Sequence, residues 1–202
     1  MPVSARIKKP LLALGIAVWL GAAIWGTKWL TEYSFSPGAS GQPAETWPEN
    51  PGVSRADGIA TLVLALHPEC ACSEATLSEL GVILTETTPH LRAILIFTDA
   101  DPARPASASA LFKTAQTMPG VTLVRDRDGE ILKKFHALTS GEARLYSPDG
   151  TLHFKGGITG SRGHPGENPG RAHIIAAIRY PAAAPSSFST PVFGCALFAA
   201  SP

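Results

Sequence analysis

Two short apolar runs constrain this chain most. Ala60–Leu66 reads ATLVLAL and Arg92–Phe97 reads RAILIF. Neither alternates polar with apolar residues, so both suit strands buried on both faces of a sheet. Between them, Ser73–Thr87 sets Ala75, Leu77, Leu80, Ile83 and Leu84 on a helical stripe. Ser73 is placed to cap that helix, although Thr76 stands where a capping box would want Glu. Strand, helix, strand implies parallel pairing through a right-handed crossover.

The alternation continues. Residues 106–117 suit a helix ended by Pro119-Gly120, and Val121–Val124 is a short strand. Gly129–Leu138 is expected to form a helical turn or two. Ala143–Ser147 and Thr151–Gly157 flank Pro148-Asp149-Gly150, which has the turn chemistry of a hairpin. A glycine-rich loop spans 156–170, and Arg171–Arg179 closes the pattern as a helix. The expected class is α/β: a central mixed sheet flanked by helices, with an antiparallel hairpin at its edge.

Upstream, no charged residue occurs from Pro10 to Thr27, and LLALGIAVWLGAAIWG is apolar throughout. About 20 helical residues cross the hydrocarbon layer of a bilayer. Residues 10–31 are therefore expected as a transmembrane anchor, with Lys28 snorkelling and Trp25, Trp29 and Tyr33 at the interface. Arg6, Lys8 and Lys9 make residues 1–9 a basic cytoplasmic segment. That charge bias puts the rest outside, as a single-pass protein of the inner (cytoplasmic) membrane with its domain in the periplasm or another extracytoplasmic space. A cleaved signal peptide and a buried core helix are the competing readings. Residues 32–57, rich in Pro, Gly, Ser and Glu, are expected as a linker before a domain at 58–180. A tail follows at 181–202.

The chemistry concentrates in His67-Pro68-Glu69-Cys70-Ala71-Cys72-Ser73, between the first strand and the first helix. Amides at a helix N-terminus and the helix dipole favour an anion, which lowers the pKa of a thiol placed there. The thiolate attacks disulfides and binds soft metals. Two small buried hydrophobes would be the plain alternative. The chain holds 3 cysteines in all, too few for a disulfide scaffold. The third, Cys195 in Thr190-Pro-Val-Phe-Gly-Cys195, is a resolving thiol or metal ligand on a tail that folds back, or a tail cysteine without a partner.

In TLVLALHPECACS the chain resembles the thioredoxin-like superfamily, with its strand, turn and start of the active-site helix. SPDGTLHFKGGI resembles the hairpin of that superfamily's membrane-tethered cytochrome-maturation and peroxiredoxin-like branches. GGITGSRGHPGENPG and TPVFGC are similar to segments of membrane-anchored bacterial RedB-type proteins. The resemblance covers Ile59–Arg179 and implies a thioredoxin fold with an inserted βα unit. It makes Cys70 the nucleophile. Ser73 stands in place of the second cysteine of C-x-x-C, and Cys72 is displaced one residue inward. Residues i and i+2 diverge on a helix, so a Cys70–Cys72 disulfide would be strained. The superfamily's cis-proline place falls on Gly141, where a trans glycine turn is expected because a non-proline cis bond costs about 3–4 kcal/mol.

His67 could pair with the Cys70 thiolate or join it on a metal. His164, with Arg162 and Glu167 in the glycine-rich loop, could line the site. His136 lies three residues before Thr139, the family's place for a copper-binding histidine. His90, His153 and His173 read as surface or edge residues. Asp99 and Asp101, after the second strand, could hold a cation but read rather as an acidic solvated loop.

Three functions follow. One is a thiol–disulfide oxidoreductase in which Cys70 attacks a partner protein and Cys72 or Cys195 resolves the mixed disulfide. A second is a copper(I) module for metal delivery or oxidase assembly, with Cys70, Cys72, His67 and His164 as ligands. The third is a redox-inactive interaction domain. With 17 basic against 16 acidic residues, the chain lacks the basic balance of a nucleic-acid binder. No phosphate loop, zinc-protease motif or nucleophile elbow is present.

Overall fold

The computed structural model describes residues 4–99, 101, 103–181 and 187–198. Ala100, Pro102, part of the Pro/Ala/Ser-rich stretch (182–186) and the chain ends lie outside them. The chain divides into two units, 1–36 and 37–202. In the first, helix α1 runs Ser4–Phe35 through Pro10. Its Pro10–Phe35 stretch is long and apolar enough to cross a membrane, the length and composition of a span or a signal sequence.

The second unit carries β1 (Ala60–Leu66), α2 (Ala71–Thr87), β2 (Leu91–Thr98), a 3-10 turn (Ala106–Ala108), α3 (Ala110–Gln116) and β3 (Val121–Asp126). It continues with α4 (Glu130–Lys134), β4 (Glu142–Tyr146), β5 (Leu152–Gly157), α5 (Pro169–Arg179) and the two-residue β6 (Phe188–Ser189). The sheet order is β3-β2-β1-β4-β5-β6. β1, β2 and β3 are parallel, β4 and β5 form the antiparallel hairpin, and β6 adds parallel to β5. The expected mixed sheet and its helices are therefore present. The region expected as one helix at 106–117 is a 3-10 turn followed by α3. Helix α5 begins at Pro169, where Asn168 caps it through the Arg171 amide at 2.8 Å.

Strand side chains alternate between faces. Leu62, Leu64, Leu66, Ala93, Leu95 and Phe97 face the core shared with α2, α3 and α5. Val63, Ala65, Ile94, Ile96 and Tyr146 face the other side. There α4 spans only five residues and cannot cover the sheet alone. The stretch expected as a linker does part of that work. Trp47 packs edge-on against Phe135 and Tyr146, at 5.1 and 5.0 Å between ring centroids. Thr46 bridges Thr151, and the Leu152 amide donates to the Glu45 carbonyl at 2.7 Å. Residues 37–57 thus belong to the domain. Trp47 and Val53 cover part of that apolar face, which left in water would cost about 25 cal/mol per Å². The C-terminal tail supplies Leu197 and Phe198 to the same cluster.

Candidate functional site

β1 ends at Leu66, and the chain turns through His67, Pro68 and Glu69 into α2. The helix starts two residues earlier than expected. Cys70, not Ser73, occupies the N-cap position, with extended backbone (φ −92°, ψ 119°). Ser73 lies within the first turn and is fully buried. Its hydroxyl donates to the His67 carbonyl at 3.1 Å and meets the Ser140 hydroxyl at 2.6 Å. Ser140 Oγ also accepts from the His67 amide at 2.8 Å. The serine in place of a second cysteine therefore ties the cysteine turn to the loop before β4.

That loop is shaped by Gly141. Its φ of +90° suits glycine, and a Cβ there would lie 2.9 Å from Thr76 Oγ1. Its amide donates to the Ala65 carbonyl at 2.7 Å. Among the described residues the one cis peptide bond is Thr88–Pro89, so the bond before Gly141 is trans. Beneath the loop, Glu142 and Arg144 form a buried ion pair at 2.8 Å. Glu142 also accepts from Ser40 Oγ and from the Leu138 amide, which braces the loop and the 37–57 stretch together.

The tail returns to this loop. From β6, Thr190 donates its amide to the Lys155 carbonyl at 3.2 Å, and Val192 and Phe193 are buried. Cys195 and Leu197 then flank an antiparallel bridge between Ala196 and Thr139. The Ser140 amide donates to the Cys195 carbonyl at 2.8 Å, and the Leu197 amide to the Leu138 carbonyl at 2.9 Å. Gly194 permits the approach, because a Cβ there would overlap the Ser140 carbonyl oxygen. Arg162, from the glycine-rich loop, donates to the Gly194 carbonyl at 2.7 Å. The outcome is that Cys195 Sγ lies 2.7 Å from Cys70 Sγ, across 125 residues of chain.

The three thiols differ electrostatically. Burial pushes the Cys70 thiol up, but the Cys195 thiol and the amides of Cys195, Cys72 and Ser73 outweigh it, and the net direction is down. The cap lacks a side-chain hydrogen bond of standard geometry, yet the amides still favour the thiolate. Burial pushes Cys195 up to about 12, reinforced by the thiol and charge of Cys70 and opposed by Arg162. Cys72, in the first turn of α2, is raised by burial and by Cys70, against the Gly163 amide and Arg162. An open groove between α2 and α3, floored by Leu77, Leu111 and Met118, runs up to Cys70.

The other candidates are placed as follows. The His67 Nδ1 accepts from the Glu69 amide at 3.2 Å. The exposed His164 turns its Nδ1 to the Arg162 carbonyl of its own loop, at 2.6 Å. His136 is exposed, and its carbonyl accepts from Arg144. Among the described residues no group of three or more His, Cys, Asp or Glu side chains is arranged to hold a metal ion. Two expectations are corrected. His173 is buried and stacks on Phe188, with centroids 4.4 Å apart. Asp99 is buried and accepts from the Ala106 amide at 2.6 Å, while Asp101 stays exposed and pairs with Arg104 at 3.0 Å. The strand end needs an acceptor for the 3-10 turn, and Asp99 supplies it.

Sequence reasoning missed Glu79. Buried in α2, it accepts from the Gly166 amide and Asn168, and pairs with Arg171 at 2.8 Å. It thereby pins the loop that carries Arg162. The signal was present: Glu79 interrupts the row Ala75, Glu79, Ile83 on the apolar stripe.

Neither a protein-family model nor a curated protein sequence matches the chain. Solved structures do. An uncharacterized conserved protein from Geobacillus kaustophilus superposes with a TM-score of 0.59 at 16% identity, covering 83% of this chain and 95% of that one. A hypothetical protein from Sinorhizobium meliloti 1021 gives 0.57 at 17% identity, covering 83% and 98%. A secreted Mycobacterium tuberculosis disulfide oxidoreductase homologous to E. coli DsbE aligns more loosely, with a TM-score of 0.42 at 18% identity over 61% and 82%. At these identities the likeness is one of fold.

Proposed function

We propose, from the sheet order and the cysteine turn between β1 and α2, that the chain is a thioredoxin-like, membrane-anchored, extracytoplasmic thiol–disulfide oxidoreductase. Its redox couple is Cys70 with Cys195, and Cys72 is a neighbouring third thiol rather than the resolver. The observation that carries this reading is the 2.7 Å approach of the two sulfurs at the N-terminus of α2. A helix N-terminus stabilises the thiolate needed for exchange. Cys72, at i+2 of Cys70, would have to leave the helix to bridge it without strain. In the oxidising direction a partner's two thiols become a disulfide as the Cys70–Cys195 disulfide becomes two thiols. The apolar stretch of α1 and the basic residues before it support anchoring with the domain outside the cytoplasm.

The neighbouring sulfurs are also soft donors, so copper(I) delivery is the second reading. It draws less from the geometry, because the rings of His67 and His164 are engaged within their own turns.

The test is equilibration of the full-length chain in detergent across a series of thiol redox buffers, followed by alkylation and mass spectrometry. A two-electron transition linking Cys70 to Cys195 is expected. A Cys70–Cys72 disulfide, or three free thiols throughout, rejects the assignment. Three free thiols would make copper(I) competition the next measurement.

A further inference from the structure

We infer that, in the oxidised protein, an incoming thiolate attacks the Cys195 sulfur and expels Cys70, so that the C-terminal tail carries the mixed disulfide. This rests on the Cys70–Cys195 couple proposed above and assigns the order of its steps.

Access points this way. Cys70 is 4% exposed, at the end of the α2–α3 groove, whereas Cys195 is exposed. The site of exchange is set by which sulfur can be reached and by which thiolate leaves more readily. On departure Cys70 becomes an anion at the N-cap of a 17-residue helix, where amides and the helix dipole favour negative charge. No helix N-terminus stabilises Cys195 in that way. If Cys70 were attacked instead, the better-stabilised thiolate would be the one retained and the poorer one expelled.

The attachments of the two residues agree with this order. Cys70 is fixed between β1 and α2 in the centre of the fold. Cys195 is held to the loop by its carbonyl's bond from Ser140, by the adjoining Leu197–Leu138 bond, and by the Arg162 contact at Gly194. An adduct on the exposed Cys195 therefore extends from the surface, whereas one on Cys70 would have to be accommodated within the fold.

The partner is a protein or peptide with two cysteines that can approach each other. Its first thiolate forms an S–S bond to Cys195 as the Cys195–Cys70 bond breaks and the electron pair leaves on Cys70. Its second thiolate then attacks the partner sulfur of the mixed disulfide. That step forms the partner's disulfide and releases Cys195 as a thiolate, which takes up a proton. The partner loses two electrons and the Cys70–Cys195 pair gains them.

The test uses the oxidised full-length chain in detergent and reduced glutathione as the probe. The reaction is quenched with acid within the first turnover, free thiols are alkylated, and all three cysteines are mapped. Glutathione on Cys195 with alkylated Cys70 is expected, in excess over the reverse pattern by about tenfold or more. Glutathione on Cys70 with alkylated Cys195 would overturn the inference and place entry through the α2–α3 groove, leaving the couple itself intact. If no Cys70–Cys195 disulfide exists before glutathione is added, the couple fails and this inference fails with it.

Discussion

Gly194→Ala tests whether docking of the tail sets the redox couple. The new Cβ would overlap the Ser140 carbonyl oxygen. Backbone cannot yield there as a flexible side chain would, so residues 194–197 must move off the loop. Three hydrogen bonds are then at risk: Ser140 to the Cys195 carbonyl, Leu197 to the Leu138 carbonyl, and Arg162 to the Gly194 carbonyl. At about 0.5–1.5 kcal/mol net each, the docked tail loses about 1.5–4.5 kcal/mol. The disulfide requires a docked tail and the dithiol does not, so the loss falls on the oxidised form. For a two-electron couple about 1.4 kcal/mol corresponds to 30 mV. The Cys70–Cys195 potential should therefore rise, towards easier reduction, by about 30–100 mV. Redox-buffer titration with alkylation and mass spectrometry reads it directly. A variant whose potential stays within about 10 mV of the parent would mean that backbone docking does not hold Cys195 at Cys70.

Cys72→Ala should leave the Cys70–Cys195 disulfide able to form, as judged by peptide mapping of the oxidised chain; loss of all disulfide would return Cys72 to the resolving role. Glu142→Gln strands the buried Arg144 and loosens Leu138 and Ser40, at a cost of about 3–5 kcal/mol in urea denaturation; a change under about 1 kcal/mol would show the pair to be solvated. In the reduced chain, thiolate ultraviolet absorbance should show one thiol ionising below 9.0, absent in Cys70→Ala, and another only towards about 12, absent in Cys195→Ala. The sign for stability follows. The raised Cys195 holds its proton when folded, so its contribution is complete below 9.0 and is lost as pH climbs towards about 12. The lowered Cys70 contributes above 9.0 and loses that contribution as pH falls through its folded value. A first ionisation unchanged in Cys70→Ala would contradict the assignment.

Much of the fold was legible because its signals are local. Apolar runs of six or seven residues between helical stripes specify buried parallel strands, and Pro148-Asp149-Gly150 specifies the hairpin turn. Cys70 was legible for the same reason: it stands where a strand hands over to a helix. Less legible were the helix start, displaced by two residues, and the partner of Cys70. Helix ends depend on which residue finds acceptors for the first free amides, and here the hydroxyl of Ser73 was taken by His67 and Ser140 instead. Glu79 was overlooked because an acid on an apolar stripe has meaning only once Asn168 and Arg171 arrive beside it.

The sequence by itself therefore determined the class of fold, the order of its strands and helices, the apolar N-terminal helix, and the position of one thiol at a helix N-terminus. Each follows from spacing or propensity within about 20 residues. Only the tertiary structure decided that Trp47, Val53, Leu197 and Phe198 help close the second face of the sheet, and that Cys195 rather than Cys72 meets Cys70. That choice depends on backbone pairing between segments more than 50 residues apart. It also depends on the room left by an absent side chain at Gly194. Neither leaves a periodic trace in the sequence, because hydrogen bonds between main chains are blind to residue type.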